Sequence, residues 1–111
     1  MIISWGTLTI GAGPVQIPGA TSPLKVCYIQ FQVAPGAIGE VKVGGLGLDM
    51  TNGTPGTLLN ATQGTNPDGS AQAGGAWSAA SYGDHNTINA SALFVHGSNP
   101  GDVVFFEYHQ N

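Results

Sequence analysis

Three histidines, one cysteine and six carboxylates are the side chains with which this chain could carry out acid–base, nucleophilic or metal chemistry. Such chemistry needs a nucleophile beside a base, or several ligands brought to one point. The sequence holds no H-x-H or H-E-x-x-H motif, and Cys27 has no second cysteine with which to share a metal. We therefore expect no catalytic residue, no metal site and no cofactor, and we predict that the protein is not an enzyme.

A small hydrolase would be the enzymatic alternative, and it would need one of the histidines to meet Asp84. Asp84 precedes His85 in a polar segment, but His96 and His109 lie near opposite ends of two strands predicted below. That separation argues against a shared site. Cys27 stands in the middle of a strand-like run, where we expect a small core residue and not a nucleophile.

Trp77 and Tyr82 could form a binding platform, because an aromatic face beside planar polar groups suits a saccharide ligand. Only small residues separate the two rings, and polar side chains follow them at 84–86. The other interpretation is that Trp77 fills the core from a segment that has few other large side chains.

Charge is scarce along the chain: two lysines and six acidic residues make up 7% of it and give a formal net charge of −4. Ordinary soluble domains carry about 25% charged residues. With no arginine, the chain has little with which to neutralise phosphates, so we expect neither nucleic-acid binding nor docking on an anionic membrane. No apolar run approaches roughly 18 residues, the first residues do not resemble a signal peptide, and a lone cysteine suits a reducing cytoplasm.

Strands must position these side chains, because apolar and polar residues alternate in several short runs. In LKVCYIQFQV, residues 24–33, the odd-numbered residues from Cys27 to Val33 share one face, and Val26 falls on the other. The run GEVKVGG repeats the pattern and places Lys42 outward. Further inward residues of such short runs are Leu8, Ile10, Val15, Ile17, Val41 and Val43.

The runs ALFVHG and DVVFFEYH flank a turn at Asn99–Asp102. Pro100 in the second position and Gly101 in the third are typical of a type II turn, whose third residue needs a positive φ. We therefore predict a hairpin.

Residues 51–91 are rich in Gly, Ser, Thr and Asn and hold few large apolar side chains. A structureless loop of that length is improbable in a compact domain. We expect one or two short strands there, anchored at Leu58–Leu59 and at Trp77–Tyr82.

These patterns predict an all-β fold, an antiparallel β-sandwich that is jelly-roll-like, in a single compact domain over residues 1–111 with an irregular excursion at about 51–91. The core is predicted to contain Cys27, Ile29, Phe31, Val41, Val43, Leu93, Val95, Val104 and Phe106.

The last strand is apolar on both faces. Val104, Phe106 and Tyr108 share the inner face, whereas Val103 and Phe105 point the other way. One sheet packed from one side cannot cover both sets, so either a second layer of the same chain or another chain covers Val103 and Phe105, and we favour contact with another chain.

The order and spacing of these pieces resemble a small β-domain of tailed-bacteriophage virion proteins. In that pattern a short V-x-L/I-P strand is followed by a strand ending in apolar residues, then by G-x-V-x-V-G, and finally by L-x-V-x-G with a G-D-x-V-x-V-x-Y strand. The departure is residues 58–88, which the family pattern makes much shorter. The matching residues are Val15, Ile17, Pro18, Ile29, Phe31, Gly39, Val41, Val43, Gly44, Leu93, Val95, Gly97, Gly101, Asp102, Val104, Phe106 and Tyr108.

The resemblance implies a non-enzymatic structural protein, made in the host bacterial cytoplasm and carried on the virion. Small proteins of this kind often decorate and cement the capsid, so the implied partner is the major capsid protein on the capsid surface. The resemblance also favours a homo-oligomer, with a trimer as the first expectation. The alternative is a carbohydrate- or receptor-binding module on a tail or head fibre that would use Trp77 and Tyr82.

Overall fold

The structure is a computed structural model that describes residues 1–18, 23–51, 53–60 and 64–111, with only the backbone at Asp84. Those residues form an all-β domain with two single-turn 3₁₀ helices and no α-helix. The strands are β1 (Ile2–Thr9), β2 (Lys25–Val26), β3 (Tyr28–Val33), β4 (Val41–Gly44), β5 (Thr57–Leu59), β6 (Ala76–Ala80), β7 (Ile88–Asn89), β8 (Phe94–Gly97) and β9 (Val103–Gln110). In this part of the chain, no helix has the length and apolar character needed to cross a membrane.

Antiparallel pairing joins the strands into three sheets. One sheet has four strands in the order β1-β9-β3-β6, another has three in the order β5-β4-β8, and a short ladder joins β2 to β7. The inner side chains of the two larger sheets belong to one apolar cluster. The antiparallel all-β, sandwich-like fold predicted from the alternation is therefore confirmed.

The core confirms most of the predicted residues. Eight of the nine are less than a tenth exposed, and Leu93 is partly buried and packs against the cluster from its margin. The largest side chains with less than 2% of their surface exposed are Phe31, Ile10, Ile17, Ile29, Val26, Val33, Val41, Val95 and Val104.

The predicted continuous strand over residues 24–33 is wrong at one point. The ladder is interrupted at Cys27, and the chain changes partner there, from β7 to β6 and β9. The interruption resets the alternation, so Val26 is fully buried although the pattern placed it on the outer face. From Ile29 to Val33 the prediction is confirmed, with odd-numbered residues buried and even-numbered ones half-buried.

The predicted hairpin is wrong. The turn is present, with Gly101 at φ 98°, but β8 pairs with β4 in one sheet, and β9 pairs with β1 and β3 in the other. Other segments bind the turn: the Ile10 N–H donates to the Asp102 carbonyl at 2.8 Å, and the Gly101 N–H donates to the Ile10 carbonyl at 2.8 Å. The turn therefore connects strands of two different sheets. Its backbone groups form hydrogen bonds with Ile10, whereas in a hairpin β8 and β9 would pair with each other.

Short strands occur within the segment 51–91 as expected, but there are three of them, β5, β6 and β7, and not one or two. Leu59 is buried and Trp77 packs partly against the core, but Leu58 is half-exposed and Tyr82 is 99% exposed. Tyr82 is therefore not an anchor. The polar Asn86 has a structural role, because its side-chain amide exchanges hydrogen bonds of 2.6 and 3.0 Å with the backbone of Asn111, just after β9.

Candidate functional site

The outer face of the four-stranded sheet is the main candidate site, and we call it the open face. Successive side chains of a strand point to opposite faces of the sheet. Phe105 points outward, so the register of the four strands identifies the other residues on the same face. The open face consists of Ile3, Trp5, Thr7 and Thr9 from β1, Val103, Phe105, Glu107 and His109 from β9, Tyr28, Gln30 and Gln32 from β3, and Ala76, Ser78 and Ala80 from β6.

Large apolar side chains lie uncovered on the open face. Trp5 is 75% exposed, Ile3 46% and Phe105 42%, whereas Val103 is half-buried. A depression of about 360 Å³ lies between Trp5 and Phe105, and its lining also includes Gln30. Contiguous exposed apolar surface of this kind marks an interaction site in a soluble protein. Val103 and Phe105 therefore point to the outer face of the sheet, as the sequence predicts.

A small polar group adjoins the apolar part of the open face. The Nε2 atom of His109 lies 3.3 Å from a Glu107 carboxylate oxygen, and the His109 ring lies 4.7 Å from the Tyr28 ring, between centroids. The described residues give this nitrogen no aligned hydrogen-bond partner. This contact is an ion pair only in the form in which His109 carries a proton.

Gly6 allows the ring of Phe106 to pack closely on strand β1, on the inner face of the four-stranded sheet. On the inner side, a Cβ atom at Gly6 would stand only 2.8 Å from the ring of Phe106, its register partner in β9. The ring therefore covers the glycine backbone, and it stacks on Tyr108 with 6.2 Å between centroids. A glycine inside a strand often marks such a close approach.

The outer face of the three-stranded sheet is built differently, and we call it the covered face. Lys42 lies on this outer face, as the alternation predicts, because Val41 and Val43 on either side of it point into the core, but its side chain is only 6% exposed. Its Nζ atom donates to the carbonyls of Asp49 at 3.0 Å, Thr51 at 3.2 Å and Thr54 at 3.3 Å, and to the Thr54 hydroxyl at 2.9 Å. Segments 45–51 and 53–56 fold over the strand and surround the ammonium group with oxygens, which compensates its burial.

Two aspartates, Asp49 and Asp102, accept hydrogen bonds that hold loop residues in place. In Asp49, hydrogen bonds from the Thr51 N–H and hydroxyl, with the nearby Lys42 charge, lower the carboxyl pKa. Asp102 is 6% exposed. Burial opposes its ionisation, but hydrogen bonds from the Gly39 N–H at 2.8 Å, the Asn99 amide at 2.7 Å and the Ile38 N–H outweigh it and lower the pKa.

Trp77 and Tyr82 do not share one surface. The indole of Trp77 faces the core, where it stacks on Phe31 with 6.2 Å between ring centroids. Tyr82 lies in a 3₁₀ turn and is almost fully exposed. Among the described residues, no ring contact joins the two. A platform that used both aromatic faces would need Trp77 to leave the core.

The histidines occupy separate elements: His96 lies in β8, His109 in β9, and His85 just after the 3₁₀ turn. No side-chain contact joins any two of them, and no cluster of three potential metal ligands occurs, within the part of the chain that the structure describes. The Asp84 side chain lies outside the described residues. Cys27 is buried, and its thiol donates to the His109 carbonyl at 3.2 Å.

Sequence reasoning missed the contribution of β1 to the open face. The stretch IISWGTLT alternates in a way that puts Ile3, Trp5 and Thr7 on one side, and this signal was present in the sequence. What the alternation does not report is that these residues stand beside Phe105, since that depends on a pairing between opposite ends of the described chain.

Comparison of the chain with protein-family models, with curated proteins and with solved structures gave no match.

Proposed function

We propose that this protein is a non-enzymatic structural component of a tailed-phage virion that binds the outer surface of the capsid and stabilises it. The observation that carries the proposal is the open face, where Trp5, Ile3 and Phe105 lie uncovered on one sheet. An exposed apolar surface that extends over two neighbouring strands suits contact with another protein surface.

The resemblance noted in the sequence supports the choice of partner, which is the major capsid protein. The scarcity of charge supports it too: only Glu107 and His109 interrupt an otherwise neutral open face. Charged residues are depleted at the centres of protein interfaces, so this composition suits a protein partner. The protein would be made in the host cytoplasm and would reside on the capsid surface.

Stabilisation of the capsid would be additive. Each copy would cover apolar surface of the shell at its open face, and many copies bound to one particle would resist expansion or rupture together. A trimer is the expectation from the resemblance, and it competes with the dimer that the edge of strand β1, unpaired among the described residues, favours.

A second candidate function is glycan binding, as on a tail or head fibre. The observation that favours it is Trp5, whose exposed ring lines a depression together with the planar polar groups of Gln30, Gln32 and Glu107. An aromatic face beside side-chain amides and a carboxylate suits a sugar, and it replaces the pair Trp77 and Tyr82 inferred from the sequence.

The decisive experiment is cosedimentation with expanded, undecorated capsids of the same phage, beside a glycan array. We expect saturable binding of the wild type to capsids and no glycan signal. Phe105→Asp should remain folded and lose capsid binding, whereas Leu46→Asp should bind normally, since Leu46 is 89% exposed on the loop of the covered face.

Binding of capsids by Phe105→Asp would contradict the proposed surface, and wild-type protein that never binds capsids would contradict the function. Glycan signals that disappear in Trp5→Ala would establish the second candidate instead. If Phe105→Asp unfolds, Ile3→Asp tests the same face at a residue that is 46% exposed.

A further inference from the structure

Strand β1 is an edge of the four-stranded sheet, and one of its two sides has no partner among the described residues. Residues of an antiparallel strand direct their backbone N–H and C=O alternately to one side and to the other. Ile10, next after β1, exchanges bonds with the Gly101–Asp102 backbone at 2.8 Å, and the Val103 carbonyl instead accepts from Ala34, next to β3, at 2.9 Å.

The direction of the free backbone groups follows from these bonds. Even-numbered residues of β1 bond to β9, and odd-numbered residues turn their N–H and C=O groups away from the sheet. The residues with outward backbone groups are Ile3, Trp5, Thr7 and Thr9.

The β1 edge lacks the usual protection against pairing. Natural edge strands are kept short or carry charges, prolines or bulges, because an unpaired edge is a template for another strand. The eight residues of β1, IISWGTLT, hold no charge and no proline. The opposite edge, β6, is shorter and presents only the small side chains of Ala76, Ser78 and Ala80 on the open face.

We propose that β1 pairs antiparallel with β1 of a second copy of this chain, so that two four-stranded sheets become one continuous eight-stranded sheet. The pairing is isologous, with its two-fold axis near Trp5, and it places Ile3 opposite the partner's Thr7. The outward groups of these residues then form about six hydrogen bonds.

The distribution of charge near the β1 edge permits the approach of a second copy. Two molecules with a net charge of −4 repel each other in general, but β1 itself is neutral. The nearest carboxylate on the open face, Glu107, is one strand away from Trp5. With strands about 4.8 Å apart, the two copies of Glu107 would stand about 14 Å apart, beyond the Debye length of about 8 Å at physiological salt.

The exposed area at the edge also fits a stable dimer. Apolar side chains stand free on both sides of the strand: Met1 is 69% exposed, Ile2 66%, Ile3 46% and Trp5 75%. Together they expose on the order of 500 Å², against roughly 800 Å² per partner in a standard interface. The backbone ladder and the flanking threonines supply further contact.

This inference stands independently of the proposed function, because it concerns contact between copies and makes no use of the capsid. Its test is the oligomeric state of the purified protein in sedimentation velocity. We expect a dimer for the wild type and for Thr7→Val, which keeps the backbone donor. Thr7→Pro removes the outward N–H without touching the β1–β9 ladder, and it should weaken dimerisation by more than about tenfold with an unchanged circular dichroism spectrum.

A second measurement fixes the register even if Thr7→Pro proves unstable. A hydrogen-bonded antiparallel pair has its Cα atoms about 5.5 Å apart, within the range of a disulfide. Trp5→Cys should therefore form a covalent dimer under mild oxidation, and Leu46→Cys should not. A wild-type monomer or trimer, a Thr7→Pro dimer of unchanged affinity, or a Trp5→Cys protein that does not cross-link would each overturn the proposal.

Discussion

The outer faces of the two larger sheets differ in how far the chain itself covers them. On the covered face, segments 45–51 and 53–56 lie over the strand and surround the Lys42 ammonium group with oxygens. On the open face, no segment of the described chain lies over the sheet, and Trp5 and Phe105 remain exposed. The first face is complete within one molecule, whereas the second offers apolar surface to a partner.

The comparison separates residues that stabilise the fold from residues available for binding. A buried charge is tolerated only with full hydrogen bonding, so the covered face depends on each of its polar contacts. An exposed aromatic ring contributes little to folding, so selection for stability alone does not explain it. The predictions below test this division, and they run from the largest expected effect on stability to the smallest.

Lys42→Met should destabilise the protein strongly. The substitution keeps the aliphatic chain but leaves the carbonyls of Asp49, Thr51 and Thr54 without their shared donor. With net contributions of about 1.5–3 kcal/mol for a hydrogen bond to a charged group, we expect a loss of about 3 kcal/mol in the free energy of unfolding, measured by urea denaturation.

The control is Lys25→Met, because Lys25 is exposed and is the other of the two lysines. It should change the free energy of unfolding by less than about 0.5 kcal/mol. Equal losses for the two variants would show that the covered face does not depend on its buried ammonium group.

Asp102 should make the stability depend on pH. Its pKa in the folded protein is lowered from the ordinary 3.8, so its ionised form is favoured by folding. The stabilisation is fully present above that ordinary value and is lost as the pH falls through the lower folded value. Between pH 5 and pH 3, Asp102→Asn should lose less free energy of unfolding than the wild type does, and should start about 2 kcal/mol less stable.

Glu40→Gln is the matched control for this measurement, since Glu40 is exposed. It should follow the wild-type curve between pH 5 and pH 3. An Asp102→Asn curve parallel to the wild type would mean that the carboxylate does not hold loop 38–39 in its ionised form.

Trp5→Ala should have the smallest effect on stability, below about 0.5 kcal/mol, because the ring is mostly in solvent. Trp77→Ala should cost about 3 kcal/mol, because its ring packs on Phe31. Fluorescence checks the same contrast: with Trp77 removed, the remaining emission should be red-shifted and strongly quenched by acrylamide. A large loss of stability in Trp5→Ala would show that the open face is part of the core.

The fold was readable from the sequence wherever one strand stays in one ladder. Alternation placed Ile29, Phe31 and Val33 inside, and Val104 and Phe106 with them. The alternation placed Val26 wrongly because the strand changes its pairing partner at Cys27. Alternation along the sequence does not show where such an interruption occurs. The hairpin failed for a related reason: Asn-Pro-Gly-Asp reports a turn but not the ladders that its two arms join.

The candidate site was readable only in part. The outward direction of Val103 and Phe105 follows from the period of the strand, so the sequence contained it. The contribution of Trp5 depends on pairing across almost the whole described chain, and the burial of Lys42 depends on the path of a loop. Both are long-range outcomes of folding that no local pattern reports.

The pairing of β1 with β9 has a consequence for the order of events during synthesis. Ile2 is registered with Gln110 and Thr9 with Val103, so the edge strand finds its neighbour only after nearly all of this chain has been made. At about 5–20 residues per second, roughly 100 residues occupy a ribosome for on the order of 5–20 s. Contacts of such high sequence separation also slow folding itself. For that interval the apolar stretch IISW has no β9 with which to pair, so we expect the nascent chain to bind chaperones that hold exposed apolar segments.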